Sequence, residues 1–467
     1  MPHFIVRISA LLLICAFSHA TLSTDDVAIA TNKTFDYLSG AGFSVLLIEA
    51  GPDPRWNPAV YNAEERYNLN GYCNWEYPAY HENGTALSWT IDSGACIGGS
   101  TSINGLMWYR PTEAEVNKLE TLGNPGWNWA NLVPYMEAIE RFQPPNDIQV
   151  QQGAGYDPSN HGFDVLANHT VDKVVFEPTE GQEPKAIGVV LVAGAEFPVS
   201  TVLAGKEVIL AAGSLGSAPI LERSGIGNPG ILQGVGIVRV VSLPGVGVNL
   251  NDQPGTGTSA LVFEKYWNDT SIIDGRILFA PEISLVNLDE SIHDVIPVAE
   301  FIAEFYPTVL FAAFWPSQPL SRGHIHINTS SPFSFPIITP RLLSDSFDQA
   351  IAVSMARKSR VLFTNDAFED VVQDPFYDPQ NIGINGTDEE YLGWYEKTAY
   401  GASHWIGSTA MIPQELGGVV SPTLQVFGTR SLRIVDAGIL PFQITSHTMS
   451  MLYAVAQKAA ALILEDA

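Results

Sequence analysis

Two histidines near the carboxyl terminus, His404 and His447, are the side chains of this 467-residue chain that best suit acid–base chemistry. Each lies among small residues, and an apolar segment that ends at Asp436 separates them. A neutral imidazole accepts a proton near pH 7, and a second ring can hold a substrate oxygen. If both rings face one pocket, the pair can take the hydroxyl proton of an alcohol. A hydrogen-bonded structural role is the alternative for either histidine taken alone.

A glycine-rich run from Asp92 to Pro111 is the next candidate for chemistry. It contains Gly98-Gly99-Ser100-Thr101, followed by Asn104-Gly105. Adjacent glycines let the backbone approach a ligand, and the serine and threonine add hydroxyl donors. The run therefore predicts a ligand-binding loop.

A short apolar segment, residues 44–51, predicts a strand that ends at Glu49 and Gly51. In a dinucleotide-binding βαβ unit, a carboxylate at this place accepts the ribose hydroxyls. The Gly-x-Gly-x-x-Gly turn expected about twenty residues before that carboxylate is absent. Thr34 to Tyr37 resembles the start of a first strand, but the stretch before Glu49 leaves no room for a crossover helix.

These runs resemble the signatures of the glucose–methanol–choline (GMC) flavoprotein oxidoreductases. Residues 92–111 match the first signature, with Ala95 where Lys, Arg, Asn or Cys is usual. Residues 213–227 match the second, with Ala218 in place of Pro or Ser. The similarity continues through 123–129, 245–254 and the segment with the two histidines, so it covers essentially the mature chain. The branch of glucose oxidases and aryl-alcohol oxidases is the most similar.

The resemblance implies an α/β fold, in which a doubly wound FAD-binding domain is interleaved with a sheet-based substrate-binding domain. The FAD-binding domain is expected to comprise residues 24–113, 163–258 and 400–467. An abbreviated substrate-binding domain is expected at 114–162 and 259–399.

The resemblance also implies roles for individual residues. Glu49 would hold the adenosine ribose, Val171 would meet the adenine ring, and His404 and His447 would be the catalytic pair. The other implied contacts follow the flavin, ribityl and phosphate parts of FAD: Ser100, Asn104, Gly105, Met107, Asp436, Ala437, Thr448 and Met449. Non-covalent FAD is expected, because the Ser-Thr-Ser-Ile-Asn run contains no histidine.

The expected reaction is oxidation of a CH–OH group to an aldehyde by hydride transfer to the flavin. Tyr400 and Ala402 stand where glucose oxidases have Arg and Asn, and polyol recognition depends on such donors. An aryl or secondary-metabolite alcohol is therefore favoured over glucose, with oxygen or quinone as the electron acceptor. Two alternatives remain: a non-redox relative, such as a lyase or cyclising synthase, and a truncated family member without catalysis.

Composition and targeting signals restrict the partners and the compartment. The formal net charge of −27 argues against nucleic acid and anionic membranes. Arg7, the apolar run 8–17 and a small-residue cleavage site predict a signal peptide at residues 1–20, and no later stretch predicts a membrane span. Asn-x-Ser/Thr sequons predict a secreted glycoprotein and begin at Asn32, Asn83, Asn168, Asn268, Asn328 and Asn385.

Cysteine and histidine spacing predicts no metal site. His324 and His326 would share one face of a strand, but a third ligand is not evident. After removal of the signal peptide, Cys73 and Cys96 remain. They would form one disulfide, or Cys96 would be a small buried residue.

Local patterns predict several elements around these candidates. Helical periodicity appears between Ser346 and Phe363, with Phe347, Ile351, Met355 and Leu362 on one face. A second apolar helix is predicted from Ser450 to Glu465, and residues 52–90 are expected to be an irregular covering segment.

Overall fold

A computed structural model describes residues 22–24, 34–35, 46–54, 57–61, 71–140, 164–177, 181–192, 199–263, 298–306 and 308–466. The predicted signal peptide and the sequons at Asn32 and Asn268 lie outside the described residues.

The described chain alternates between short strands and helices. The strands are β1 (Leu22–Thr24), β2 (Thr34–Phe35), β3 (Leu46–Ile48), β4 (Tyr77–Tyr80), β5 (Ala86–Ile91), β6 (Asp164–Leu166), β7 (Thr170–Glu177), β8 (Lys185–Val192), β9 (Ser200–Ala204), β10 (Val208–Leu210), β11 (Ile226–Gly227), β12 (Val241–Ser242), β13 (Val248–Leu250), β14 (Pro254–Val262), β15 (Ala299–Tyr306), β16 (Val309–Pro316), β17 (Gly323–His326), β18 (Ile337–Thr339), β19 (Val372–Asp378), β20 (Tyr400–Gly401) and β21 (Leu432–Ile434). The helices are α1 (Pro58–Tyr61), α2 (Glu113–Thr121), α3 (Trp129–Ile139), α4 (Ser217–Arg223), α5 (Pro229–Gly234), α6 (Ser346–Phe363), α7 (Asp388–Thr398) and α8 (Met449–Asp466).

Parallel strands and helices form one part of the molecule. Strands β1, β6 and β3 make a parallel sheet in that order, and β10 pairs in parallel with β21. Helix α4 packs on β7, and α8 packs on α3. The predicted α/β class is confirmed by this mixture of elements.

Mixed and antiparallel sheets form most of the rest, and β18 pairs with β4 in parallel. Strands β7, β8 and β9 are antiparallel, and β2 joins β9 in parallel. One five-stranded sheet has the order β13-β17-β18-β4-β5, and another the order β15-β16-β14-β19, with β20 added to β14. Helices α6 and α7 pack together beside β16, around a core that includes Phe314, Met355 and Tyr391. No described helix is both long enough and apolar enough to cross a bilayer.

Local sequence explains the helix bounds better than the helix faces. Helix α6 has the predicted bounds, and the carboxylate of its N-cap Asp345 accepts a hydrogen bond from the Phe347 amide. The predicted apolar face was partly wrong, because Phe347 is 50% exposed. Met355, which the prediction included, is buried, and Ala352 and Ala356 are buried with it, since they face β16 and α7. Helix α8 differs from its prediction by one residue at each end.

The prediction of an irregular segment at residues 52–90 was also wrong in part. This segment contains α1, and β4 with β5 forms a hairpin across residues 81–85. Its turn carries Asn83-Gly84, a sequence typical of hairpins, and Gly84 has φ of +82°.

The end of β3 packs backbone to backbone against the glycine-rich run. A Cβ atom on Gly51 would lie 1.7 Å from the carbonyl oxygen of Ala95, and one on Gly94 would lie 1.9 Å from the carbonyl carbon of Gly99. Only glycine allows this approach. The loop therefore has a fixed position relative to Glu49.

Replacing Gly51 with alanine is expected to destabilise the fold by about 3 kcal/mol, because the methyl group would overlap the Ala95 carbonyl. Denaturant unfolding of the purified protein measures the loss. Gly234→Ala is the matched control, since a Cβ atom there meets open space. Equal stability of the two variants would contradict the close packing.

Candidate active site

A cavity of about 980 Å³ is lined by every residue that the sequence analysis assigned to the site. It extends from Glu49, at the end of β3, to His404 and His447. The structure thus brings together side chains from both ends of the sequence. Their individual roles stay predictions.

Glu49 marks one end of the cavity. Its Oε1 accepts a hydrogen bond from the Gly51 amide at 2.9 Å. Burial raises the pKa of Glu49 to about 7, and the backbone amides of Gly51 and Ala50 offset this only in part. A buried carboxyl of this kind favours ligand groups that donate hydrogen bonds, such as hydroxyls. Val171, at the start of β7, lines the same cavity.

The glycine-rich run forms the middle of the cavity wall. Gly98 has φ of +118° and leads into a 3₁₀ turn at Gly99–Ser102. The Ser100 hydroxyl accepts a hydrogen bond from the Gly94 amide at 3.1 Å. Asn104 Nδ2 donates to Met449 Sδ at 3.3 Å, which joins the run to the first turn of α8. The positive end of this long helix therefore lies at the cavity, where it favours negative charge.

Asp436 lines the cavity, but its carboxylate is engaged within the protein. It accepts hydrogen bonds from the Gly213 amide at 3.1 Å, the Ser217 hydroxyl at 2.6 Å and the Gly438 amide at 2.8 Å. Burial raises the pKa of Asp436 to about 6, although these donors oppose the shift. The side chain joins the segments after β10 and β21. The neighbouring Ala437 also lines the cavity.

His404 and His447 lie at the other end, in contact with one another. His404 Nε2 is 3.1 Å from His447 Nδ1, and the rings are nearly perpendicular at 85°. Each ring has a further partner on its other nitrogen. His404 Nδ1 is 2.6 Å from Gln253 Oε1, and His447 Nε2 is 3.0 Å from Glu300 Oε1. The four side chains form a continuous hydrogen-bonded row.

Electrostatics favours a neutral His404. Burial and, to a smaller extent, the charge of His447 lower the pKa of His404 to about 3. The ring is therefore unprotonated on one nitrogen at neutral pH, as a general base must be.

A buried carboxyl, Asp252, holds the backbone around His404. It accepts hydrogen bonds from the amides of Gln253 at 2.8 Å, Ser403 at 2.9 Å and His404 at 2.9 Å. Burial raises the pKa of Asp252 to about 7, against the effect of these amides. Gln443 Nε2 also donates to the His404 carbonyl at 2.8 Å. These contacts fix the position of the ring.

A second buried carboxyl, Glu115, holds the loop that carries His447. It accepts hydrogen bonds from the Thr445 amide at 2.6 Å, the Thr445 hydroxyl at 2.8 Å and Gln318 Nε2 at 2.7 Å. Glu115 also forms the capping box of α2 with Thr112. The start of α2 is thereby attached to the segment two residues before His447.

Sequence patterns did not predict Gln253, Glu300 or Glu115 as site residues. Glu300 had a usable signal, because it is a lone acid in the apolar segment 297–302. Glu115 follows Thr112 at the spacing of a capping box, but that pattern predicts a helix start and not a contact with Thr445.

Aromatic and apolar side chains line the cavity beside the histidines. The Trp315 ring centroid is 6.3 Å from that of His404 and 6.0 Å from that of His447. Tyr400 and Ala402 line the cavity as well. Apolar contact is thus available to a substrate at this end.

The remaining sequence candidates lie apart from the histidine pair. Cys73 and Cys96 are both buried free thiols in the structure. The imidazole Nδ1 of His326 is 2.7 Å from the buried Glu222 carboxylate. Within the described ranges, no group of three potential metal ligands surrounds His324 or any other residue.

Comparison with protein families gives one consistent match. Profiles of the GMC oxidoreductase family match residues 44–161 and 156–255 with the amino-terminal part, and 319–456 with the carboxyl-terminal part.

Individual relatives match over most of their length. The glucose oxidase-like protein fsoC of Humicola fuscoatra is 28% identical over 92% of this chain and 95% of its own. Glucose oxidase 2 of Penicillium expansum is 26% identical over 96% and 95%, respectively. The first alignment has 566 positions, more than the 467 residues of this chain, so that relative carries internal segments absent here. An FAD-dependent oxidoreductase from Chaetomium thermophilum, 21% identical, has a similar fold, with a TM-score of 0.73 over 99% of this chain and 98% of its own.

Replacing Glu115 with glutamine is expected to lower the free energy of unfolding by about 2 kcal/mol, because an amide would face the Thr445 donors with one acceptor fewer. Denaturant unfolding measures the change. Glu113→Gln, an exposed position on the same helix, is the control and should be near neutral. A Glu115 variant as stable as this control would exclude the anchoring role.

Proposed function

The chain belongs to the GMC oxidoreductase family, and we propose that it is a secreted FAD-dependent enzyme that oxidises an aryl or other apolar primary alcohol to the aldehyde. The observation that carries the proposal is the contact between neutral His404 and His447 at the end of a cavity large enough for a dinucleotide.

Membership of the family implies FAD, and the residues present support its binding. Glu49 would hold the ribose hydroxyls, which suits a buried carboxyl with a raised pKa. Thr448 and Met449 would meet the flavin at the start of α8. Bound non-covalently, FAD would supply the two-electron acceptor for the hydride of the carbinol carbon. The backbone of the glycine-rich run would serve the phosphates, because no Gly-x-Gly-x-x-Gly turn precedes Glu49.

His404 is the proposed base. Its low pKa keeps the ring neutral, so that it can accept the hydroxyl proton of the substrate. His447 holds the substrate oxygen, and its Nε2 lies 3.0 Å from Glu300 Oε1, which orients the ring. Burial beside Trp315 limits water near the pair and strengthens both interactions.

The proposed substrate class follows from the wall beside the pair. Trp315, Phe311 and Ile302 offer apolar surface, and Tyr400 and Ala402 stand where glucose oxidases place two polar donors. A polyol would leave hydroxyls unpaired against such a wall. Two relatives are named as glucose oxidases or as similar to them, so glucose is the competitor to be tested.

Secretion as a glycoprotein is supported by the sequon positions. The asparagines of the four described sequons, Asn83, Asn168, Asn328 and Asn385, are all exposed. In the β4–β5 turn, Asn83 Oδ1 accepts hydrogen bonds from the Thr85 amide at 3.0 Å and the Thr85 hydroxyl at 2.7 Å. An exposed turn of this kind is accessible to modification.

If Asn83 is glycosylated, the Asn83→Gln substitution is expected to reduce the mass of the secreted protein by one glycan. Peptide-N-glycosidase treatment should remove the difference between the variant and the wild type. Asn381→Gln, at an exposed asparagine outside any sequon, is the control and should keep the full mass. A secreted wild type whose mass does not change on glycosidase treatment would refute the glycoprotein assignment.

Flavin absorbance tests the reaction itself. The purified wild type should show the visible spectrum of oxidised flavin, and anaerobic 4-methoxybenzyl alcohol should bleach it while glucose does not. His404→Gln should retain the spectrum and lose about 10³-fold in the rate of bleaching, because the base is absent.

Three results would contradict the proposal. A protein that cannot be loaded with FAD would favour a family member without catalysis. Consumption of an alcohol without bleaching would favour a non-redox relative. Bleaching by glucose alone would exclude the proposed substrate class.

A further inference from the structure

The side-chain amide of Gln253 has a defined orientation. Its Nε2 is 2.7 Å from the Ser317 carbonyl oxygen, and its Oε1 is 2.6 Å from His404 Nδ1. A carbonyl oxygen only accepts hydrogen bonds, so the amide nitrogen must face Ser317. The Ser317 amide in turn donates to the Val298 carbonyl at 2.9 Å, which fixes this backbone. A flipped amide would place two oxygens in contact, and it is therefore excluded.

This orientation determines the tautomer of His404. Because the Gln253 oxygen only accepts, His404 Nδ1 must carry the hydrogen. The pKa of His404 is lowered to about 3, so the ring is neutral and has one N–H. His404 Nε2 therefore keeps its lone pair.

The hydrogen bond between the two histidines has the same donor-to-acceptor direction. The lone pair of His404 Nε2 is 3.1 Å from His447 Nδ1, which must donate. His447 Nε2 then shares one further proton with the Glu300 carboxyl at 3.0 Å. The N–H bonds of His447 Nδ1, His404 Nδ1 and Gln253 Nε2 therefore all point towards Ser317. Gln253 is 2% exposed, so water does not compete for its oxygen.

We propose that Gln253 is a positioning residue that selects the Nδ1–H tautomer of His404 and thereby makes Nε2 the proton acceptor of the reaction. The inference rests on the proposed function, because it concerns the base of that reaction. It assigns to Gln253 a role that depends on the chemical direction of its amide and not on its volume.

The direction of the row matches the needs of an alcohol. A hydroxyl both donates and accepts, so it can replace the direct contact between the two rings. It would donate to His404 Nε2 and accept from His447 Nδ1–H. On proton transfer the O–H bond breaks, its electron pair stays on oxygen, and the proton bonds to Nε2. The opposite tautomer would present two donors to the substrate oxygen and no base.

Nitrogen NMR of the full-length secreted protein labelled with ¹⁵N-histidine tests the proposal. At pH 7 the His404 signals, identified by their absence from His404→Gln, should show a protonated Nδ1 and a bare Nε2. Gln253→Leu should lose this preference. It should also lower kcat about 10- to 100-fold while KM changes less than about threefold, as for other residues that orient an imidazole. Gln233→Leu, exposed on α5, is the control and should change neither quantity.

A proton on Nε2 in the wild type would overturn the proposal, and so would a Gln253→Leu variant that keeps the wild-type tautomer. Gln253→Met, closer in length, replaces Gln253→Leu if the latter is not secreted. The NMR signals need no turnover. A protein that oxidises no alcohol would therefore refute the proposed function, while the tautomer measurement would still decide this inference.

Discussion

The buried Asp252 carboxyl is the interaction on which the arrangement of the site depends. It accepts hydrogen bonds from the amides of Gln253, Ser403 and His404, and so holds His404 and its partner Gln253 in fixed positions. Asp252 and His404 are separated by 152 positions in the chain, and the short pairing of β14 with β20 ends just before Ser403 and His404. A carboxyl group with two oxygens can accept several backbone amides at once. The hydrogen bonds to Asp252 therefore set the positions of His404 and Gln253 in the hydrogen-bonded row.

Buried carboxyl groups also connect distant segments elsewhere in the cavity wall. Glu115 attaches helix α2 to the loop before His447, and Asp436 attaches the start of α4 to the segment after β21. Irregular segments carry many backbone donors that no sheet satisfies, and buried carboxylates satisfy them across long sequence distances. This explains how a site made largely of loops reaches a defined geometry. It also explains the raised pKa of Asp252 and Asp436, since burial accompanies the attachment.

Sequence patterns predicted those parts of the molecule that depend on local interactions. Helix α6 and the strand before Glu49 have strong periodic or capping signals, and the resemblance to the family drew attention to both histidines. Glu300 and Gln253 contact their histidines over 147 and 151 positions, so no local pattern predicts these contacts. The β4–β5 hairpin was missed although Asn83-Gly84 is a hairpin signal, because the surrounding polar and aromatic residues obscured the alternation. Propensity alone does not decide such a strand, and β4 also pairs with the distant β18.

The two ends of the cavity differ in how far their residues can be substituted, because Gly51 and Gly94 make close backbone contacts at one end only. Near Glu49 the wall is main chain against main chain, so substitution there disturbs the fold before it changes what the cavity accepts. Beside the histidines, Trp315, Phe311 and Tyr400 present side chains that can be exchanged. A new substrate preference can therefore arise at one end while the other end continues to hold the same ligand. This separation lets a single scaffold diversify without first losing its stability.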